Sequence, residues 1–345
     1  MYPSTKSPSY GVFVSNFSES FQDGENQIVL SSLIKGRKKG IGRILSYCWF
    51  FLDVFWKSNF MKYDLIYVHY IQHSLLPLRF WWNRANRKLV LNAHGTDIMD
   101  TGRAATLLRK LNRRLIQHAN LVVVPSSFFV PKLERMGVNP CTIFVSPSGG
   151  IDPMNFYHGK GSELRLVIGY LGRLDPGKGL STLIDSFELV SKELQLKLEI
   201  IGTGSLISAL QYQVENSNPS PQISFLGVLS QQEIGERLRG WDLLIFPSEL
   251  PESLGLVGLE AMACGVPVIG SEQGGILTYL ENGKNGFTFE AGNTVQLADA
   301  IFDFYQLQPA KREHMSYMAL QTAEKYMKQK VISRLNEQLN CLFNA

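Results

Sequence analysis

Two glutamates, Glu252 and Glu260, are separated by seven residues in the stretch ESLGLVGLEAMACG that runs from Glu252 to Gly265. An amphipathic surface helix spreads its charges over a wet face. Here Gly255, Gly258 and the flanking leucines instead imply backbone packed closely against a partner. Carboxylates accept paired hydrogen bonds from vicinal hydroxyls, which sugars and ribose supply, and the amides of Leu254 to Leu256 between the two acids suit phosphate oxygens. The plain alternative is a solvated loop acid at Glu252 and a helix acid paired with a neighbour at Glu260.

A second chemistry-bearing stretch, GYLGRLDPGKGLSTLIDSF, passes from a strand through a glycine-rich turn into a helix expected to begin near Gly179. Helix amino ends present unpaired N–H groups and partial positive charge, so this turn attracts phosphate, and Arg173 and Lys178 add two full charges. A capped βα turn with solvated cations is the plain alternative. Gly172, Gly177 and Lys178 also satisfy part of the P-loop pattern, but Gly179 stands where that pattern needs a magnesium-binding Ser or Thr. His94 and Asp97 close an HGTD turn after the apolar run KLVLNA, and His94 reads either as a reacting group or as a satisfied histidine at a strand end. His69 and His73 lack an accompanying acid cluster, so they do not make a metal pair.

The elements that must position these residues are short apolar runs followed by turns: DLIYVHY, KLVLNAHG, NLVVVPSS, LRLVIGYLG, LKLEIIGTG, DLLIFPS and VPVIGS. Continuous β-branched runs alternating with helical patterns predict parallel sheets of the doubly wound type, whose ligands bind beyond the carboxyl ends of the strands. The candidate residues follow such runs directly. A length of 345 residues predicts two domains, and 45% hydrophobic with 19% charged residues excludes a disordered chain. The polar stretch Asn155 to Glu163 marks the break. Residues 1–160 form one Rossmann-like half, 161–309 the other, and 310–345 a helical segment packing back toward the first.

The formal charge of +4 is too small to argue for nucleic acid. Cys48, Cys141, Cys264 and Cys341 have neither disulfide-framework nor zinc spacing, which suits a reducing cytosol. The polar YPSTKSPSYG after Met1 does not read as a signal peptide, and the apolar run Ile44 to Leu52 is too short to span a bilayer.

GRLDPGKG, IGTG, FLG, FPSELPESLGLVGLEAMACGVPVIGSEQGG and NGKNGFTF follow one another in the order and spacing of the large retaining glycosyltransferase family 4. The chain resembles that family over nearly its whole length, most closely from Leu166 to Ala300. The resemblance implies an α/β GT-B fold, two Rossmann-like doubly wound domains facing each other across a cleft, with the first half binding acceptor and the second a nucleotide sugar. It makes Glu252 and Glu260 the family's paired-glutamate motif. By resemblance Arg173 and Lys178 hold the donor diphosphate, Glu260 the ribose, and Glu252 the hydroxyls of the transferred sugar. The amides of Ser253, Leu254, Gly255 and Leu256 contact sugar and phosphate, His94 lies at the reacting centre on the acceptor side, and Asp97 supports it. The loop around Tyr10 and Gly11 approaches the donor phosphates. Relatives begin with an apolar strand just before the YPS segment, so either the start is misplaced or the first sheet lacks its opening strand.

The implied reaction moves a sugar from a UDP- or GDP-sugar to a glycan hydroxyl with retention, by front-face substitution, without a metal or other cofactor. Lys35, Arg37, Lys38, Lys39 and Arg43 precede Tyr47, Trp49, Phe50, Phe51, Phe55 and Trp56, and RFWWNRANRK spans Arg79 to Lys88. Basic residues beside Trp and Phe suit an anionic membrane interface. That places a lipid-linked acceptor at the inner face of the cell membrane, as in bacterial surface polysaccharide synthesis, with the enzyme cytoplasmic and peripheral. A core helix with a wet basic end is the alternative for the first cluster. For the whole chain the alternatives are a P-loop-like nucleotide hydrolase and a non-catalytic sugar-nucleotide-binding protein of the same fold.

Overall fold

The computed structural model describes residues 2, 11–22, 26–36, 38–80, 87–147, 149–159, 164–216 and 222–344. The chain divides into one unit made of Met1–Gly150 with Lys328–Ala345 and another made of Ile151–Met327.

The first unit runs α1 (Val12–Gln22), α2 (Gly40–Phe60), β1 (Leu65–His69), a 3-10 turn Leu76–Phe80, β2 (Lys88–Asn92), α3 (Thr96–Met99), α4 (Arg103–Gln117), β3 (Leu121–Val124), α5 (Val130–Arg135) and β4 (Ile143–Val145). Among the described residues its strands form one parallel sheet in the order β1-β2-β3-β4, with His69 opposite Asn92. Successive side chains on a strand point to opposite faces. Ile66, Val68, Leu89, Leu91, Val122 and Val124 pack with Leu115 and Ile116 of α4 and Leu133 of α5. Tyr67, Val90, Leu121 and Val123 face the other way, onto Phe17 and Phe21 of α1. This two-sided burial explains why the runs read as continuously apolar.

The second unit runs β5 (Val167–Leu171), α6 (Leu180–Leu194), β6 (Lys197–Ile201), α7 (Ile207–Asn216), β7 (Ile223–Gly227), α8 (Gln231–Leu238), β8 (Leu243–Phe246), α9 (Leu256–Ala263), β9 (Val268–Ser271), β10 (Gly286–Phe289), α10 (Thr294–Gln306) and α11 (Pro309–Glu324). Its parallel sheet has the order β10-β9-β8-β5-β6-β7. Ile168, Leu198, Leu243 and Ile245 pack toward α6, α7 and α10, while Leu171, Ile201, Leu244 and Val268 pack toward α8, α9 and α11. The chain enters mid-sheet at β5, winds outward through β6 and β7, then returns to β8 on the other side. The strand order therefore reverses between β5 and β8, the place where doubly wound sheets bind ligands.

The final helix, α12 (Lys328–Asn344), belongs to the first unit. Its Leu335 and Leu339 join Phe17 and Phe21 in the core beside β3, with Val331 also buried at the same helical spacing; each contributes about 1.5–3 kcal/mol. Of the segment 310–345, expected to pack back toward the first half, only α12 does so: α11 packs on α9 through Ala319 and Ala323 and belongs to the second unit. The division between units falls after Gly150 rather than after residue 160. Ile151 hydrogen-bonds from its amide to the Tyr326 carbonyl at 2.9 Å, and Ile151 and Phe156 are buried in the second unit's core. The polar sequence from Asn155 reads as a linker because these two apolar anchors precede most of it.

Candidate functional site

The turn after β5 carries Arg173, Asp175, Gly177 and Lys178. Tyr170, the penultimate residue of β5, donates its hydroxyl to the Arg173 carbonyl at 2.8 Å. Asp175 accepts from the Ser205 amide at 3.0 Å and hydroxyl at 3.1 Å, which ties this turn to the one after β6. These bonds hold the Asp175 carboxyl below its usual range. Arg173 pairs with Asp175 at 3.0 Å and is largely exposed.

Gly179 sits just before α6 in the left-handed region, φ +67°, and a Cβ there would stand 1.8 Å from the Pro247 carbonyl oxygen. Only glycine fits. The same contact closes off the P-loop reading, since no Ser or Thr can occupy the position that pattern requires.

The turn after β8 supplies the second half of the arrangement. Glu252 forms an ion pair with Lys178, and the Ser248 hydroxyl lies 3.0 Å from the same carboxylate oxygen. The Glu252 backbone is clamped by a bridge to Gly274 and by the Gly275 amide, which donates to its carbonyl at 2.7 Å. Gly255 precedes α9 with φ +77°, and its carbonyl accepts the Tyr279 hydroxyl at 2.7 Å. A Cβ on Gly258 would meet that hydroxyl at 2.2 Å, so the glycine allows Tyr279 to brace the start of α9. Helix geometry leaves the first amides, of Leu256 and Val257, without intrahelical acceptors. Leu254 is buried in the core, so only its backbone can serve a ligand. Glu260 lies one turn into α9, half-buried, and burial pushes its carboxyl up to about 7.

Lys178, Glu252 and the start of α9 are therefore brought together where the strand order reverses. Arg173 and Lys178 leave the same turn but pair with different carboxylates, Arg173 with Asp175 and Lys178 with Glu252. Ser248 and Tyr279 carry no sequence signal: each acts on a neighbouring loop through one hydroxyl.

In the first unit, His94 follows β2 and Asp97 lies in the first turn of α3. Asp97 is buried and accepts from the amides of His94 at 2.9 Å and Ile71 at 3.0 Å. Burial outweighs these bonds and pushes its carboxyl up to about 6. The His94 Nε2 lies 3.0 Å from Nδ1 of His69, the last residue of β1. One ring donates and the other accepts, and burial favours the neutral form of both, lowering His69 and holding His94 down to about 3. Tyr70 adopts φ +60° and lays its ring 4.7 Å from that of His94. A left-handed tyrosine is a strained conformation of the kind that collects at functional sites. The partner of His69 is His94, two residues beyond the end of the adjacent strand β2. Gly11 is buried with φ +75°, at the start of α1. Tyr10, Arg37 and residues 81–86 of the second basic-aromatic cluster lie outside the described residues. No group of three or more His, Cys, Asp or Glu side chains able to hold a metal ion is found among the described residues. No helix among them is long and apolar enough to cross a membrane.

Residues 159–322 match the sequence profile of the glycosyl transferases group 1, and residues 31–149 match a glycosyl transferase 4-like domain. N-acetyl-alpha-D-glucosaminyl L-malate synthase of Bacillus anthracis is 27% identical over 79% of this chain and 73% of its own length. D-inositol 3-phosphate glycosyltransferase of Corynebacterium jeikeium is 28% identical over 75% of this chain and 66% of its own. The fold matches that of Anabaena HepE in complex with UDP-glucose, with TM-score 0.75 and 20% identity over 99% of this chain and 98% of that one. It also matches sucrose-phosphate synthase from Thermosynechococcus elongatus, with TM-score 0.77 and 16% identity over the same shares.

Proposed function

Because the chain belongs to the group 1 glycosyl transferases, with the GT-B fold, we propose that it moves a sugar from a UDP- or GDP-sugar to a hydroxyl of a lipid-linked glycan, with retention of anomeric configuration. The observation that carries this reading is the meeting of Lys178, Glu252 and the α9 amino end at the strand reversal.

In this reading Lys178 and the amides of Ser253 to Leu256 take the donor diphosphate, and Arg173 leaves Asp175 to join them. Glu260 accepts both ribose hydroxyls, and Glu252, held by Lys178 and Ser248, accepts hydroxyls of the transferred sugar. His94, neutral and oriented by His69, hydrogen-bonds the sugar near the reacting carbon, with Asp97 fixing the turn. Gly11 admits the phosphates close to the backbone. The bond from the anomeric carbon to the phosphate oxygen breaks as the acceptor oxygen bonds to that carbon from the same face. The departing phosphate receives the acceptor's proton, and Lys178 and Arg173 stabilise the charge left on it. No metal takes part in this scheme. UDP in the HepE complexes and the GDP-mannose-dependent alpha-mannosyltransferase of Corynebacterium glutamicum, 27% identical over 55% of this chain, support the two donor classes. Basic and aromatic segments of the first unit support an acceptor presented at the inner face of an anionic membrane, in surface polysaccharide synthesis.

Incubation with UDP-glucose, UDP-N-acetylglucosamine or GDP-mannose and a lipid extract tests this. The proposal requires release of one nucleoside diphosphate with label entering the lipid fraction, both lost in Lys178→Ala. Equal release by wild type and variant refutes the assignment of Lys178.

A further inference from the structure

Helix α2 is 21 residues long, about 30 Å at 1.5 Å per residue. Ile41, Ile44, Leu45, Trp49, Leu52 and Trp56 are each between 60% and 76% exposed. At 100° per residue these six fall within about half the helix circumference, and no charged residue lies inside that arc. The opposite side of α2 faces the core through Val54. Scattered exposed apolar residues are ordinary, but a continuous stripe with two tryptophans is not.

The charges stand at the margins. Lys38, Lys39 and Arg43 are exposed at the amino end. The one acid of the helix, Asp53, is paired with Lys57 at 2.8 Å. The 3-10 turn Leu76–Phe80 packs against both α2 and α4 and ends on exposed Arg79 and Phe80. Helix α4 contains no acidic residue and exposes Arg103, Lys110, Arg113 and Arg114 around Leu107 and Leu111. Both helices lie on the same side of the first unit's sheet, since Val54, Leu115 and Ile116 share one core cluster.

We propose that α2 and α4 form a docking face for an anionic phospholipid bilayer, with α2 lying in the interface plane. Trp49, Trp56 and the leucines enter the acyl boundary, and the cations of α4 and of the α2 amino end meet lipid phosphates. An apolar stripe edged by Lys and Arg, with Trp at its waist, matches that environment on every count. A nucleic acid has no use for the stripe. A second copy would bring two basic clusters together against one acid per copy on these helices, Asp53, which is already paired with Lys57. The sequence suggested the α2 segment; the exposure of its stripe and the part played by α4 emerge only from the fold. This deepens the membrane part of the proposed function without depending on sugar transfer.

The test uses the full chain, without donor or acceptor, in flotation with vesicles of phosphatidylcholine alone and of phosphatidylcholine mixed with phosphatidylglycerol. Tryptophan emission is followed in parallel. Expected is binding to the anionic vesicles with a blue shift, weakened roughly tenfold for each of Trp49→Ser and Trp56→Ser. Neutralising Arg113 and Arg114 to Gln is expected to weaken it about fivefold per charge. Circular dichroism and melting temperature of each variant establish that it is folded. No binding to anionic vesicles overturns the proposal. So does binding unchanged in the tryptophan variants, or a dimer in solution that the same variants dissociate. Nucleoside diphosphate binding, measured separately, reports on the transferase reading, so either can fail alone.

Discussion

Replacing Glu260 by Gln should make the protein more stable and a poorer binder of its nucleotide. The half-buried carboxyl is pushed from 4.5 up to about 7 by burial, so the folded state holds a proton that the unfolded state has released. Stability then falls as pH rises from about 4.5 to about 7, and the penalty is complete above 7. At 1.36 kcal/mol per pH unit the full value is about 3 kcal/mol. Partial contact with water reduces this to ~1.5 kcal/mol. Gln keeps the shape and removes the charge, so Glu260→Gln should gain about 1 kcal/mol more over wild type at pH 8 than at pH 5. In a domain of this size that is roughly 2–4 °C. Differential scanning fluorimetry across pH reads the gap, and titration with a nucleoside diphosphate at pH 8 should show about 10- to 100-fold weaker binding, from one lost charged acceptor. A constant gap across pH, or a variant less stable at pH 8, refutes the assignment of a strained carboxylate. An unchanged affinity refutes its contact with ribose.

Lys178→Ala should lower turnover about 10²- to 10³-fold, as expected for a group acting on the leaving phosphate. Its melting temperature should move little, because a partly exposed ion pair contributes under about 1 kcal/mol. Gly258→Ala should cost about 1–3 kcal/mol in urea unfolding and weaken nucleotide binding, since the new methyl displaces the Tyr279 hydroxyl from the Gly255 carbonyl. Asp97→Ala should cost about 2–4 kcal/mol by leaving two buried amides unpaired, and hydrogen exchange should speed up at Ile71 and His94.

The seven apolar runs named from the sequence each become a strand, because burial on both faces writes itself as an unbroken β-branched stretch. β4, β7 and β10 lack a run of that length and kind. Phe144 and Val145 are only partly covered, and Thr288 breaks the apolar run of β10 with a hydroxyl. The paired glutamates, Lys178 and the glycine turn were legible because each follows a strand and needs a particular residue type. The His69–His94 contact was not, since two strand ends meet only once β1 and β2 pair in register. Nor was the turning of Arg173 to Asp175, which depends on Ser205 holding that carboxylate from another loop.

Calorimetric titration of wild type and Glu260→Ala with UDP, GDP and magnesium ATP, with and without EDTA, decides whether the turn carrying Glu252 and Glu260 binds a nucleoside diphosphate. One nucleoside diphosphate should bind wild type equally well in EDTA and fail to bind the variant. Binding of magnesium ATP alone, unaffected by the substitution, would contradict this.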